Sequence, residues 1–472
     1  MSKKNITFRL IDNLDFTPTG SQEGLIDHLA GFIGSGNTRE IFLIKGYAGT
    51  GKTTVVNSLV KTLREIGSKA VLLAPTGRAA KVMYAYTRHP AWTIHKKIYR
   101  QKSGSDGLGV FTLDRNTHKD TFFIIDEASM IGQAASDSVF GTGNLLSDLL
   151  QYVESGTNCQ LIMIGDTAQL PPVRLDVSPA LERVVLESYG YAVREFILTD
   201  IVRHELDSGI LMNATTIRNH ITSGNYTIPM IEVERFADIE RVGGAELLES
   251  ISSSYDTFGE DETIVVTRSN KRANKFNAGI RGQILWREEQ ISRGDLLMVV
   301  KNNYFWKDPD LKIDFIANGD IARIERVIGF EEIYGMKFAD VELSFTDYGD
   351  LVLEAKIMLD VLEVDGPSLP VDNQRDLYQK ILEDYPGLTN RKSRSEQMMK
   401  DRYFNALQVK FAYSVTCHKA QGGQWKSVFL DTGYFTEEMI SPDYLRWLYT
   451  AFTRASKKLH LVNFSPLFFG EE

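Results

Sequence analysis

The segment Gly46-Tyr47-Ala48-Gly49-Thr50-Gly51-Lys52-Thr53 limits what this chain can fold into more than any other stretch. It fits the pattern of a glycine, four residues, then Gly-Lys-Thr. The four apolar residues before it, Ile41 to Ile44, read as a short buried strand. After it Val55, Val56, Leu59, Val60 and Leu63 recur at helical spacing, and the helix they predict stops near Gly67. Strand, glycine-rich turn and helix together make an anion cradle. Glycines let backbone N–H groups turn inward, and the helix N-terminus adds positive potential. Gly46, Ala48, Gly49, Thr50, Gly51, Lys52, Thr53 and Thr54 are the candidate cradle residues. Lys52 is placed to reach β- and γ-phosphates, and the Thr53 hydroxyl to meet Mg²⁺. A glycine turn matching by chance would not need these flanks.

A second segment supplies the complement. Phe122, Phe123, Ile124 and Ile125 predict a buried strand that delivers Asp126 and Glu127 at its carboxyl end. Ligands bind at that end of open α/β sheets. Asp126 is the candidate Mg²⁺ holder, and Glu127 the candidate base that orients and deprotonates water. An apolar run ending in a solvated acidic turn is the bland alternative. Its position downstream of a well-framed phosphate loop argues against it. Two carboxylates beside Mg·ATP favour hydrolysis over binding alone.

Further apolar runs, Ala70–Ala74, Leu161–Ile164 and Phe196–Leu198, alternate with helical stretches. They predict an α/β domain with a parallel sheet covered on both faces. Thr263–Val266, Val428–Leu430 and Leu459–Val462 predict a second such sheet. Between them residues 286–365 carry short β-like runs with glycine turns, which suits a small inserted barrel. Residues 372–406 read as polar helices with a basic run. The chain is acidic overall, with a formal net charge of -9, so any nucleic-acid surface must be local. No apolar run is long enough to span a membrane. Cys159 and Cys417, two cysteines in all, cannot form a disulfide framework. A cytoplasmic protein is the default expectation.

One local basic stretch stands out. Residues 88–102 hold five Lys or Arg and no Asp or Glu, with Trp92, His95 and Tyr99 interleaved. Cations with aromatics suit a groove that follows a phosphate backbone and stacks bases. A basic surface loop is the plain alternative.

Seven segments now fall into an order. Thr17–Gln22 precedes the phosphate loop, and Ala74-Pro75-Thr76-Gly77-Arg78-Ala79-Ala80 follows it. Then come Thr93-Ile94-His95, Asp126–Ser129, Gly165–Val173, Ser414–Gly422 and Leu448–Ala455. This set resembles the superfamily 1 helicases, above all the RecD-like and Dda-like branch that moves 5′→3′ on single-stranded DNA. The resemblance runs from residue 17 to 455. It implies two RecA-like P-loop domains with ATP in the cleft between them: 1A at residues 1–95 and 120–200, and 2A at 201–285 and 409–472. It implies a small pin-like 1B insertion at 96–119, with Phe111 as the candidate wedge, and a 2B insertion at 286–408 with an SH3-like barrel. By the same resemblance Gln22 would read the adenine edge and Gln169 would sense the γ-phosphate. Arg454 would be an arginine finger from the second domain, and Arg203 a second finger. A finger must be arginine because γ-phosphoryl charge needs a rigid cationic fork. Pro75 and Thr76 would contact DNA from the first domain, and Thr416, His418 and Lys419 from the second. Thr93, His95, Lys96, Lys97 and Tyr99 would join them, and Gly422 would approach the nucleotide cleft. ATP and Mg²⁺ are the implied cofactors, and single-stranded and tailed duplex DNA the implied partners of a monomer. An RNA helicase, a regulatory ATPase and the reverse-polarity branch stay open, although a β-rich 286–365 suits the last poorly.

Overall fold

The structure is a computed structural model that describes residues 2–101, 111–132, 141–201, 207–306, 316–345, 351–387 and 390–471. The first domain begins with α1 (Lys3–Asp12), α2 (Gly20–Ser35), β1 (Glu40–Gly46), α3 (Lys52–Glu65), β2 (Lys69–Ala74) and α4 (Gly77–Thr87). It continues through β3 (Ala91–Thr93), α5 (Ile94–Ile98), β4 (Tyr99–Gln101), β5 (Phe111–Leu113) and β6 (Lys119–Ile125). It ends with α6 (Leu145–Glu154), β7 (Thr157–Gly165), α7 (Arg183–Ser188) and β8 (Ala192–Leu198). Six strands form a parallel sheet in the order β3-β2-β6-β7-β1-β8.

The continuous apolar runs follow from burial on both faces. Ile41, Leu43, Leu73, Phe123, Ile125, Leu161 and Met163 fill one core. Their immediate neighbours Phe42, Ile44, Leu72, Phe122, Ile124, Ile162 and Ile164 fill the other. Alternate side chains point to opposite faces, so a strand with no polar face needs an unbroken run.

The second domain adds α8 (Gly209–Ser223), β9 (Ile239–Val242), α9 (Leu247–Phe258), β10 (Thr263–Thr267) and α10 (Asn270–Gly279). The barrel strands β11 (Leu296–Val299), β12 (Ile321–Ile333), β13 (Met336–Phe345) and β14 (Leu351–Met358) come next. They are followed by α11 (Asp360–Glu363), α12 (Val371–Glu383), α13 (Arg391–Met398) and β15 (Leu407–Phe411). The chain then returns through β16 (Ser414–Thr416), α14 (Cys417–Ala420), β17 (Trp425–Asp431), α15 (Pro442–Phe452) and β18 (Ala455–Val462). The second sheet is parallel, in the order β16-β10-β17-β18-β9.

The inserted barrel is closed by β11-β12-β13-β14-β15. It therefore extends beyond the 286–365 expected from β-like texture. Its last strand follows three helices and pairs parallel to β14, and the expected boundary at 408/409 cuts through it. The short strands β3, β9 and β16 hold three or four residues each, too few for a periodic pattern to register. In the segment expected to be a 1B insertion, β4 and β5 form a two-stranded antiparallel pair, with the segment between them outside the described residues.

Asp295 fixes the barrel on the second sheet. It is fully buried and takes both Arg281 nitrogens, at 3.0 and 2.9 Å, with Arg287 at 3.0 Å and the Tyr413 hydroxyl at 3.0 Å. A buried carboxylate needs that many donors to offset lost hydration.

Candidate active site

The carboxyl ends of β1, β6 and β7 converge, as expected for a ligand site in a parallel sheet. Gly49 and Gly51 take positive φ, 74° and 77°, conformations that suit glycine. A side chain at Gly46 would meet Lys52 Cγ at 3.0 Å and Thr50 Oγ1 at 3.1 Å, so the loop is wound tightly. Lys52 Nζ donates to the carbonyls of Gly46 at 2.7 Å and Tyr47 at 2.8 Å, and lies 4.0 Å from Asp166 Oδ2. Thr53 is exposed and Thr54 half-buried at the start of α3.

Asp126 accepts from the Tyr86 hydroxyl at 2.9 Å and from the Glu127 backbone N–H at 2.8 Å. Glu127 sits in the left-handed region at φ 53°, a strained position for a non-glycine residue. Burial raises its carboxyl to about 6, against a lowering by Arg454 and a further raising by Asp126. Gln169 is buried, and its Oε1 has no hydrogen-bond partner.

The second domain supplies the other wall. Arg454 is buried at 2% exposure. It is held by the Thr450 carbonyl at 2.9 Å, the Gly423 carbonyl at 3.0 Å and Thr453 Oγ1 at 3.1 Å. Gly422 has φ 77° and is so close to the first domain that a Cβ would meet Ala79 Cβ at 3.1 Å and Thr76 Oγ1 at 3.2 Å. α15 stitches the seam. The Leu170 N–H donates to Thr450 Oγ1 at 2.8 Å, and Gln421 Nε2 to the Leu170 carbonyl at 2.7 Å. The Tyr449 hydroxyl accepts from the Ala48 N–H at 2.8 Å and donates to Asp166 at 2.6 Å. Arg78 lies over the Trp425 ring, 4.2 Å from its centroid.

Three expected site residues turn inward instead. Gln22 is fully buried. Its Oε1 caps the Thr19 N–H at 3.0 Å and its Nε2 donates to the Thr50 carbonyl at 3.2 Å. Both ends of its amide are thus engaged, and Gln22 ties the start of α2 to the phosphate loop. Tyr99 is 4% exposed and donates to the buried Asp148 at 2.6 Å, so its ring is core and not a stacking platform. The Thr93 hydroxyl is buried and caps α5 through the Lys96 N–H at 3.2 Å. Phe111, the candidate wedge, is also buried, 4.4 Å from the Tyr304 ring. Arg203 lies outside the described residues.

The remaining expected DNA contacts line two surfaces. His95, Lys96 and Lys97 are half-buried on α5. Burial lowers His95 to about 4, which leaves it neutral, and Lys97 sits 5.1 Å over the Trp92 ring. Pro75 is half-buried, and Thr76 caps α4 through the Ala79 N–H at 3.2 Å. On the second domain Thr416 is half-buried and His418 exposed. Lys419 donates to Asn318 on the barrel, and burial lowers it to about 8.

Residues 21–226 match the AAA domain family, and residues 411–462 match the UvrD-like helicase C-terminal domain. The chain is 30% identical over 156 residues to the ATP-dependent RecD2 DNA helicase of Deinococcus radiodurans, covering 32% of this chain and 18% of that one. It is 22% identical over 471 residues to the RecBCD enzyme subunit RecD of Buchnera aphidicola, covering 91% of this chain and 71% of that one. These matches support a superfamily 1 helicase of the RecD-like branch, a class of ATP-hydrolysing enzymes. The structure of the Pif1 helicase from Bacteroides with ADP-AlF3 and single-stranded DNA aligns at TM-score 0.47 and 16% identity, covering 95% of this chain and 93% of that chain.

The site fits a magnesium nucleotide. A buried, unpartnered Gln169 oxygen, a raised Glu127 carboxyl and a backbone loop wound around Lys52 follow the carboxyl ends of the neighbouring strands β7, β6 and β1. Thr53 and Asp126 would hold the metal. Tyr86, Asp166, Tyr449 and Thr450 are part of this site although nothing singled them out in the sequence. The latter three lie inside segments that the family resemblance rests on, but their roles depend on contacts across hundreds of residues.

Proposed function

We propose that this chain is an ATP-dependent DNA helicase and translocase that moves 5′→3′ on single-stranded DNA and opens duplexes. One observation carries the reading. α15 of the second sheet domain, which leads into Arg454, hydrogen-bonds Ala48, Asp166 and Leu170 of the first, so the arginine is held at the seam that carries Glu127, the candidate base. Hydrolysis in such a seam depends on the relative position of the domains, and the candidate DNA contacts Thr76 and Thr416 sit one on each. The name of the Deinococcus RecD2 relative supports DNA as the track.

ATP with Mg²⁺ supplies the phosphoanhydride bond whose cleavage drives the cycle. The chain's residues do the rest. Backbone N–H groups of the phosphate loop and Lys52 position the phosphates. Glu127 is ionised at neutral pH, and a carboxylate with pKa about 6 is a stronger base than an ordinary one. Gln169 senses the γ-phosphate, and Arg454 stabilises charge on the transferring group. Closing of the seam moves one DNA contact relative to the other. The binding energy of the nucleotide for the closed form limits the coupling.

Duplexes with only a 5′ or only a 3′ single-stranded tail test the proposal. Unwinding of the 5′-tailed substrate alone is expected. Preference for the 3′ tail would reverse the polarity, faster turnover on RNA tails would change the track, and ATP turnover without unwinding would favour a regulatory ATPase.

A further inference from the structure

The hydroxyl of Tyr449 occupies one of the backbone groups that define the phosphate loop. An amide N–H has a single hydrogen, and that of Ala48 is given to Tyr449 at 2.8 Å. The same hydroxyl gives its own proton to Asp166 Oδ2 at 2.6 Å. Asp166 also accepts from the Ala168 N–H at 2.9 Å and stands 4.0 Å from Lys52 Nζ. A short chain therefore runs from the phosphate loop through a side chain of the second domain to the strand end that leads to Gln169. Tyr449 is buried at 1%. Burial and the Asp166 carboxylate hold its phenol far above the ordinary range, so it remains a donor at any working pH. A second contact supports the same loop turn. Arg218, on α8 of the second domain, lies 4.6 Å over the Tyr47 ring.

We infer that Tyr449 is a positioning residue that competes with the nucleotide's phosphate for the Ala48 N–H, so that phosphate binding releases α15 from the loop. This inference rests on the nucleotide reading of the loop. A phosphate oxygen that takes the Ala48 N–H must displace the tyrosine hydroxyl, because one hydrogen cannot serve both at full strength. The displaced hydroxyl keeps Asp166. The change reaches α15 and, through the turn after it, Arg454. Nucleotide arrival is then felt at the arginine by loss of a hydrogen bond, before any step of hydrolysis.

Tyr449→Phe separates this role from plain packing, since it keeps the ring and removes only the hydroxyl. The probe is a fluorescent ATP analogue titrated into the full chain without DNA. The expected result is binding about fivefold tighter than wild type, the size of one net hydrogen bond no longer in competition. DNA-stimulated turnover should fall at the same time, with KM for ATP lowered. A packing defect would do the opposite and weaken binding along with a lowered melting temperature. Arg446→Met is the control. It removes another α15 bond across the seam, from Arg446 to the Thr167 carbonyl, without touching the loop, and should leave nucleotide affinity within twofold. Equal tightening in both variants would mean that any loosened seam favours nucleotide, and would overturn the specific competition. Unchanged or weaker binding in Tyr449→Phe would overturn it too. Wild type that binds no nucleotide would instead sink the phosphate-loop reading itself.

Discussion

The nucleotide seam and the α5 region, residues 91–100, both gather polar side chains against an apolar sheet, but they finish differently. In the seam the groups come from two domains and stay incompletely matched. Gln169 Oε1 has no partner, Glu127 sits at φ 53°, and burial raises its carboxyl. Around α5 the groups come from one domain and satisfy each other. Asp148 accepts from the Tyr99 hydroxyl at 2.6 Å, the Thr142 N–H at 3.0 Å and the Thr142 hydroxyl at 2.8 Å. Buried polar groups are normally satisfied, and perturbed ones gather where chemistry happens. The comparison teaches that a matched polar cluster holds the fold, while a frustrated one is kept for a ligand.

Substitutions on the two sides should separate accordingly. Glu127→Gln is expected to leave nucleotide binding intact and to lower hydrolysis by about 10²–10⁴-fold, the span of a lost general base. Binding and single-turnover hydrolysis measured together check it, and near-normal rates would move the base elsewhere. The pH profile gives the next effect. Because the folded carboxyl lies above the ordinary 4.5, at about 6, it takes up its proton earlier as pH falls. Turnover at saturating ATP and DNA should drop through pH 6 and lose about tenfold per unit below it. A limb near 4.5 would mean that burial is not felt at Glu127. Tyr99→Phe should act on the other region only. It removes a donor from buried Asp148 and should cost about 1–3 kcal/mol of stability in denaturant melts, with DNA affinity unchanged. Weakened DNA binding at unchanged stability would restore Tyr99 to the groove. Lys97→Ala should have the smallest effect, lowering the salt slope of single-stranded DNA binding by about one. An unchanged slope would assign Lys97 to its stack on Trp92.

Much of the seam was legible because backbone chemistry wrote it into local sequence. Gly49 and Gly51 need positive φ, Lys52 must follow the turn, and Asp126 and Glu127 must follow an apolar strand. Each requirement falls on adjacent residues. Tyr449 was not legible in the same way. Its partners are Ala48 and Asp166, about 400 and 283 residues away in the chain, and no spacing rule covers that. The basic stretch misled in part because composition does not say which face of a five-residue helix turns inward. Ile94 and Ile98 bury one side of α5, and Tyr99 follows them into the core. The barrel was legible as texture but not as a closed object, since β15 returns to it only after three helices.

The account depends on an arginine from one domain completing chemistry in the other. Steady-state ATP hydrolysis by Arg454→Ala, with and without single-stranded DNA, tests it most directly. The account predicts a loss of about 10³-fold or more, together with loss of stimulation by DNA, while nucleotide still binds. Hydrolysis within twofold of wild type, still stimulated by DNA, would contradict it.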